Sequence, residues 1–458
     1  MTTTPAEMHA APPVGPLPPL RTPVLQRFVL SNGLEVVAIP RHAAPIVSMT
    51  LMLRAGADAE PPGLTGLASL TAEMLDEGAG DRNPLELAGD LEQLGADLWL
   101  GAGRDGSQLN LQVPRKGFEP ALAIAADILM RPRLHAEDWA RVQHDRLIGL
   151  AQRRDQPEAV ANVVADRVLY GDSHPYGQPS EGRESTVGLI TLADVARFHA
   201  TQWRCNQASL IVAGDVDPGA LQGQLERALG AWPAGSIPTV APAGRPTQPP
   251  RLVLVDRPDA PQSVIRIVAP GEPRLSPLRT GLRMMNAILG GSFTSRLNFN
   301  LREQKGYTYG ASSGFSFMRH AGAFTARAAV FTEVTAASVT EFLNELRDIG
   351  QRPITADEMT KARATLLGRA AEALSTAAGL TATYGEIRLY DLPLDEPGRF
   401  VAEMDQHDAA SLQALAARHI DADRAGIIIV GNRAVIEADL RALGLPPPQL
   451  RDADGDTI

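Results

Sequence analysis

Arg302 and Tyr309 stand seven residues apart in the stretch GGSFTSRLNFNLREQKGYTYG, residues 290–310. Gly290 and Gly291, with Ser292, Thr294 and Ser295, break the chain and offer a helix cap. Residues 296–305 then read as a short helix with Leu297 and Leu301 on one face and Gly306 as its stop. Tyr307, Thr308 and Tyr309 open a strand, with both tyrosines on one face because strand side chains alternate. Arg302 and Tyr309 therefore flank a tight helix-to-strand turn and present a guanidinium and a phenol to one spot. Taken locally, each also has a structural use: Arg302 as a cation on helix-end carbonyls, Tyr309 as a half-buried strand tyrosine with its hydroxyl on backbone.

Other chemistry is sparse. The nine histidines are His9, His42, His135, His144, His174, His199, His320, His407 and His419, and no two are spaced to share a helix face as zinc ligands would. There is no Walker loop. Gly310-Ala311-Ser312-Ser313-Gly314 spells a nucleophile elbow, but it continues a strand with no helix directly after it. Gly101-Ala102-Gly103-Arg104-Asp105-Gly106 spells a dinucleotide turn, but it lies in a hairpin. Glu73, Asp76 and Glu77 read as a solvated helix end. His174 and Pro175 sit in a loop and read as structural. Cys205 is the single cysteine, which excludes an internal disulfide framework and a multi-cysteine zinc site.

The elements around these residues repeat. A hairpin over residues 28–39 and a strand over 46–54 precede helices at 65–77 and 85–94, then paired strands within 96–113. Helices at 119–130, 136–154, 160–170 and 192–201 follow, and an apolar strand at 208–213. Residues 237–250 are dense in proline, as linkers are. The pattern then restarts. Arg257 echoes Arg41, Thr280-Gly281-Leu282 echoes Thr65-Gly66-Leu67, and residues 425–431 (AGIIIVG) echo residues 208–214 (ASLIVAG), at offsets of 215 to 217 residues. Three echoes in order at nearly one offset mark an internal duplication. The fold class is α+β: two homologous domains, each a mostly antiparallel sheet packed with helices. The expected divisions are a disordered leader over 1–23, a first domain over 24–232, a linker over 233–250, a second domain over 251–445 and a tail over 446–458.

The 458-residue chain is 44% apolar and 21% charged, an ordinary globular balance. Its net charge of −10 is spread without blocks and argues against a nucleic-acid or anionic-membrane surface. No apolar run is long enough to span a bilayer. The leader lacks a positive stretch followed by an apolar core, so it is not an intact signal peptide. That favours the cytoplasm slightly, while a periplasmic chain already cleaved from its signal would look the same.

In order, R-A-G-A, T-G-L-A-x-x-x-x-x-M-L-x-E-G, Y-G-D-S-H-P-Y-G and the Arg302–Tyr309 stretch resemble the pitrilysin family of zinc peptidases. Within it, the chain looks like the bacterial relatives of mitochondrial processing peptidase. The resemblance spans residues 24–445. It implies paired α+β domains that form half of a clamshell chamber, and a zinc motif H-x-x-E-H on the first long helix. Ser69 and Glu73 stand where that motif has its histidines, and Ala72 where it has its base. The third ligand, a glutamate, would fall within residues 147–150, which hold no carboxylate. The resemblance thus implies no catalytic zinc in this chain. The family's other half-site, an Arg and a Tyr that hydrogen-bond the substrate carbonyl and the oxyanion across the chamber, matches Arg302 and Tyr309, with Tyr307 ranked second. The implied protein is the non-zinc subunit of a heterodimeric metallopeptidase. A homologous H-x-x-E-H partner would carry the zinc, and peptides or unfolded polypeptides would dock as an added strand. A structural relative like the respiratory-complex core proteins is the alternative. A self-sufficient hydrolase using Glu73, Asp76 and Glu77 with a distant histidine is a third reading.

Overall fold

The computed structural model describes residues 19–236, 246 and 248–458, so the expected leader and linker lie largely outside the described residues. The first half supplies strands β1 (Gln26–Val29), β2 (Glu35–Pro40), β3 (Ile46–Leu53), β4 (Asp97–Ala102), β5 (Ser107–Pro114) and β6 (Ala208–Gly214). They pair in the order β1-β2-β6-β3-β5-β4. Only β2 and β6 run parallel; the other neighbours are antiparallel. Composition sets position within the sheet. β6, apolar throughout, is buried along its whole length, as a strand covered on both faces must be. β5 alternates polar and apolar residues and is buried at alternate positions.

The second half repeats this plan with β7 (Leu252–Asp256), β8 (Gln262–Gly271), β9 (Ala311–Phe317), β10 (Gly322–Phe331), β11 (Gly426–Gly431) and β12 (Gln449–Leu450). Its order is β12-β7-β11-β8-β10-β9. β6 and β11 hold the same place: each is parallel to β2 or β7 and antiparallel to β3 or β8. Val212 faces Met49 as Ile429 faces Ile265, in line with the offset of the sequence echoes. The duplication is therefore present in register as well as in order. β12 lies in the expected tail, where it extends the sheet beside β7, and Asp454 beyond it pairs with Arg154.

One helix from each half crosses to the other sheet. Helix Pro157–Tyr170 buries Val160, Ala161, Val164 and Val168 against Val253, Val255, Val264, Val268, Ile428 and Val430 of the second sheet. Helix Ala377–Leu389 buries Leu380, Tyr384 and Ile387 against Val37, Ile39, Ile211 and Ala213 of the first. Burying one such side chain is worth about 1.5–3 kcal/mol, so each crossing contributes several. Polar clamps sit at both crossings. Arg266 of β8 donates to Asn162 at 3.0 Å and pairs with Glu158, and Arg388 donates to Glu35 at 2.6 Å.

A buried carboxylate joins the halves where the helices cross. Asp105, in the turn between β4 and β5, is 3% exposed. It accepts from the Tyr176 hydroxyl, from the Tyr390 hydroxyl at 2.8 Å and from the Arg319 amide at 2.9 Å. Burial, then the Asp105 charge, push both phenols well above their usual range, so they remain donors. The glycine-rich turn and the Tyr-Gly-Asp-Ser-His-Pro-Tyr-Gly loop thus meet in one structural clasp.

Because each sheet depends on a helix from the other half, neither half should fold alone. Residues 19–236 and 248–458 produced separately are expected to bind a hydrophobic dye and aggregate. Co-expressed, they are expected to form a complex with one cooperative unfolding transition. A monomeric half that unfolds cooperatively by itself would refute the exchange as a stability requirement.

Candidate functional site

The motif helix runs Leu67–Leu75 and packs Leu67, Leu70 and Met74 against Trp139 and Val142 of helix Ala136–Arg153. That packing points Ser69 and Glu73 at Arg146. The Arg146 Nη1 donates to Ser69 Oγ at 2.7 Å and to the Glu181 carbonyl at 2.8 Å, and its Nη2 to Glu73 Oε2 at 2.8 Å. Ala72 is buried. A hydroxyl, a methyl and a carboxylate already held by a guanidinium do not make a zinc site, and no cluster of three or more metal-binding side chains exists among the described residues. A fixed cation stands between the two positions where the resemblance places imidazoles. The sequence reading does not single out Arg146, although it immediately precedes the stretch 147–150.

The acidic residues nearby are also committed. Glu77 pairs with Arg141, and Glu73 with Arg146. Burial, and then the neighbouring Glu77, push the Asp76 carboxyl up to about 6. Among the described residues none of the three contacts a histidine through a hydrogen bond or ion pair, so the self-sufficient hydrolase loses its base.

In the second half, Arg296 anchors the Arg302 segment. Its guanidinium makes a bidentate pair with Glu358, at 2.7 and 3.0 Å. Burial opposes charge on Glu358, but Arg296 and the Thr355 cap override it and hold the carboxyl down at about 2. The expected helix over 296–305 is α-helical only at Arg296–Asn298 and continues as a π-helix, Phe299–Gln304. Gly306, at φ 66°, ends it in the left-handed region that favours glycine.

The strand begins later than the sequence reading has it, at Ala311. Tyr307 donates its amide to the Leu301 carbonyl at 2.9 Å, and Thr308 donates its hydroxyl to Ala329 O at 2.6 Å. These bonds hold residues 307–310 out of the ladder, so the two tyrosines do not share a strand face. Tyr307 packs on the core, whereas Tyr309 is 84% exposed. Arg302 is half-buried, with its guanidinium 4.6 Å from the ring centre of the exposed Phe293 and Nε 3.4 Å from Glu303. Arg302 and Tyr309 share no hydrogen bond, and neither makes a structural bond to backbone through its side chain among the described residues.

Tyr309 lines a cleft of about 290 Å3 with Glu158, Arg266, Ser312 and Arg327. Arg266, Ser312 and Arg327 also line a larger cavity of about 770 Å3, walled by Arg104 and Asp166 of the first half and Arg283, Phe315 and Arg369 of the second. Arg302 is not in either wall. The outer edge of β9 is partly taken: the Ser313 amide donates to Gly290 O at 2.9 Å, and Asn286 donates to Ser313 O at 3.0 Å. The outer edge of β4 makes no hydrogen bond among the described residues. No helix among them is long and apolar enough to cross a membrane.

If Arg146 replaces a metal as the tie between its two helices, Arg146→Met should destabilise the chain by on the order of 1–2 kcal/mol in chemical denaturation. Added zinc should not restore the loss. The chelator-washed wild-type chain should carry no stoichiometric zinc by elemental analysis, and one zinc per chain would contradict this reading of the site.

Residues 35–169 match the family profile described as insulinase (peptidase family M16), and residues 189–366 the one described as peptidase M16 inactive domain. The chain is 25% identical over 440 residues to a Mycobacterium bovis protein described as an uncharacterized zinc protease, covering 94% of this chain and 98% of that one. It is 22% identical over 338 residues to a Helicobacter pylori protein described as a non-peptidase homolog, covering 73% and 77%. Its fold matches the crystal structure of a peptidase M16 inactive domain from Pseudomonas fluorescens with TM-score 0.83 at 25% identity, over 89% of this chain and 98% of that one. It also matches a chain of Complex III2 from Candida albicans with TM-score 0.75 at 17% identity, over 90% and 97%, a likeness of fold alone. With two profiles of the same family matched in succession between residues 35 and 366, in a fold shared nearly end to end, the chain belongs to the M16 peptidase family.

Proposed function

We propose that this chain is the metal-free subunit of a two-chain M16 endopeptidase. A homologous H-x-x-E-H partner supplies the zinc and the general base. This chain supplies half of the chamber and two donors, Arg302 and Tyr309. The observation that carries the reading is the exposure of Tyr309, whose hydroxyl has no partner among the described residues, whereas Tyr176 and Tyr390 spend theirs on Asp105. A tyrosine kept for its strand would be half-buried and bonded. Arg302 is likewise held over an exposed ring instead of on helix-end carbonyls. These features support a role for both toward a group outside the chain.

Their chemistry suits a peptide carbonyl. A guanidinium is always charged and a phenol donates, so both stabilise the negative charge that gathers on the oxygen as water attacks. Substrates are peptides or unfolded segments that can enter a closed chamber. β4, whose outer edge is free, is the strand on which an extended chain can add. A catalytically silent scaffold is the second reading, favoured by the absence of Arg302 from the Tyr309 cleft and by the name of the Helicobacter pylori relative.

Co-purification with a zinc-binding homologue gives the pair for the test. Tyr309→Phe removes one hydroxyl and should lower kcat for a quenched peptide by on the order of 10²–10³, with a smaller change in substrate affinity. Arg302→Ala should act in the same direction. Tyr307→Phe should matter less, because that residue packs on the core. Wild-type kcat in both Tyr309→Phe and Arg302→Ala, with the dimer intact, would establish the scaffold.

A further inference from the structure

Four guanidinium groups converge where helix Arg279–Leu289 meets helices Ala356–Ala373 and Ala377–Leu389. Arg274, Arg279, Arg283 and Arg369 line a cavity of about 320 Å3 whose only acids are Glu386 and Glu396. Arg274 donates to Glu386 at 2.9 Å, and Arg279 pairs with Glu396. Arg283 and Arg369 have no carboxylate partner among the described residues. Arg283 lies 4.4 Å from the ring centre of Phe400, and Arg369 donates to the Gly291 carbonyl at 2.8 Å. Burial, then Arg274 and Arg283, pull the Arg279 guanidinium down to about 10, and burial followed by Arg274 also lowers Arg283. Such crowding of like charge is unfavourable unless an anion relieves it. It occurs in a chain whose net charge is −10, so it is not the fringe of a generally basic surface.

Arg283 and Arg369 also line the 770 Å3 cavity between the halves, so the two unneutralised cations stand where the arginine pocket and that cavity adjoin. The cavity in turn shares Arg266, Ser312 and Arg327 with the Tyr309 cleft. We propose that Arg283 and Arg369 form a carboxylate-binding subsite that captures acidic side chains of a polypeptide held in the chamber. The planar fork of arginine matches a carboxylate, and a pair of forks at one opening selects acidic over neutral sequence. This deepens the peptidase reading and rests on its view that the chamber receives polypeptide. It adds a preference that the Arg302–Tyr309 pair does not specify.

The test is titration calorimetry of the full chain at low salt with hexaglutamate, hexaglutamine and citrate. Hexaglutamate should bind at least about tenfold more tightly than hexaglutamine, and should weaken as salt is added. Arg369→Gln and Arg283→Gln should each lower hexaglutamate affinity by about tenfold and leave hexaglutamine binding unchanged. Arg369 is exposed, so its variant reports on binding even if loss of the Arg283–Phe400 contact disturbs folding. Equal binding of the two peptides, no binding of hexaglutamate, or unchanged affinity in Arg369→Gln would overturn the subsite. Citrate binding as tightly as hexaglutamate would assign the pocket to a small free acid and overturn it as well. The two readings fail separately: loss of the subsite leaves the Tyr309→Phe effect in the reconstituted pair untouched, and an unaffected Tyr309→Phe kcat leaves hexaglutamate binding in place.

Discussion

Helix Pro157–Tyr170 is built by the first half and buried by the second, while helix Ala377–Leu389 does the reverse. Without them, the valine and isoleucine rows of β2, β6, β7, β8 and β11 would each face water on one side. The exchange fixes how the halves sit against each other. Asp105 then fixes the contact locally, because a buried carboxylate accepting three hydrogen bonds tolerates little displacement. The 770 Å3 cavity follows from this arrangement: its walls come from both halves, so its shape persists only while the halves are locked. The cavity is a consequence of the duplication and the helix exchange together.

The same economy appears at the motif helix. A metal would tie helices Leu67–Leu75 and Ala136–Arg153 through imidazoles and a carboxylate. Here Arg146 ties them through a hydroxyl, a carboxylate and the carbonyl of Glu181. One cation stands for another, but a guanidinium offers no open coordination position and activates no water. Arg146 thus joins the two helices without the donor set that a zinc site needs. In the second half Arg296 and Glu358 fasten the segment, yet Tyr309 stays exposed and Arg302 touches only the Phe293 ring and Glu303.

Much of the fold was legible because duplication leaves marks that do not depend on tertiary contacts. The apolar runs at 208–214 and 425–431 could only be central strands, and their common offset carried the rest. Which sheet a helix covers was not legible: Val160, Val164 and Val168 show an apolar face without saying whose strands it meets. Tyr307-Thr308-Tyr309 has the composition of a strand, but the Tyr307 amide is taken by Leu301 O at the helix end and the Thr308 hydroxyl bonds Ala329 O of β10, so the strand preference loses to these two bonds. Arg146 was invisible for a related reason. Loss of a ligand can be read from one position, whereas its replacement comes from a different helix. Arg283 and Arg369 lie far apart in sequence and meet only because their helices pack.

The proposed function requires two side chains, Arg302 and Tyr309, to act outside their own chain. The most direct measurement is a structure of the reconstituted pair with a bound uncleaved peptide. It predicts the Tyr309 hydroxyl and the Arg302 guanidinium within about 3 Å of one peptide carbonyl oxygen, at the partner's H-x-x-E-H site. A peptide bound at that site with both side chains still facing solvent would contradict it.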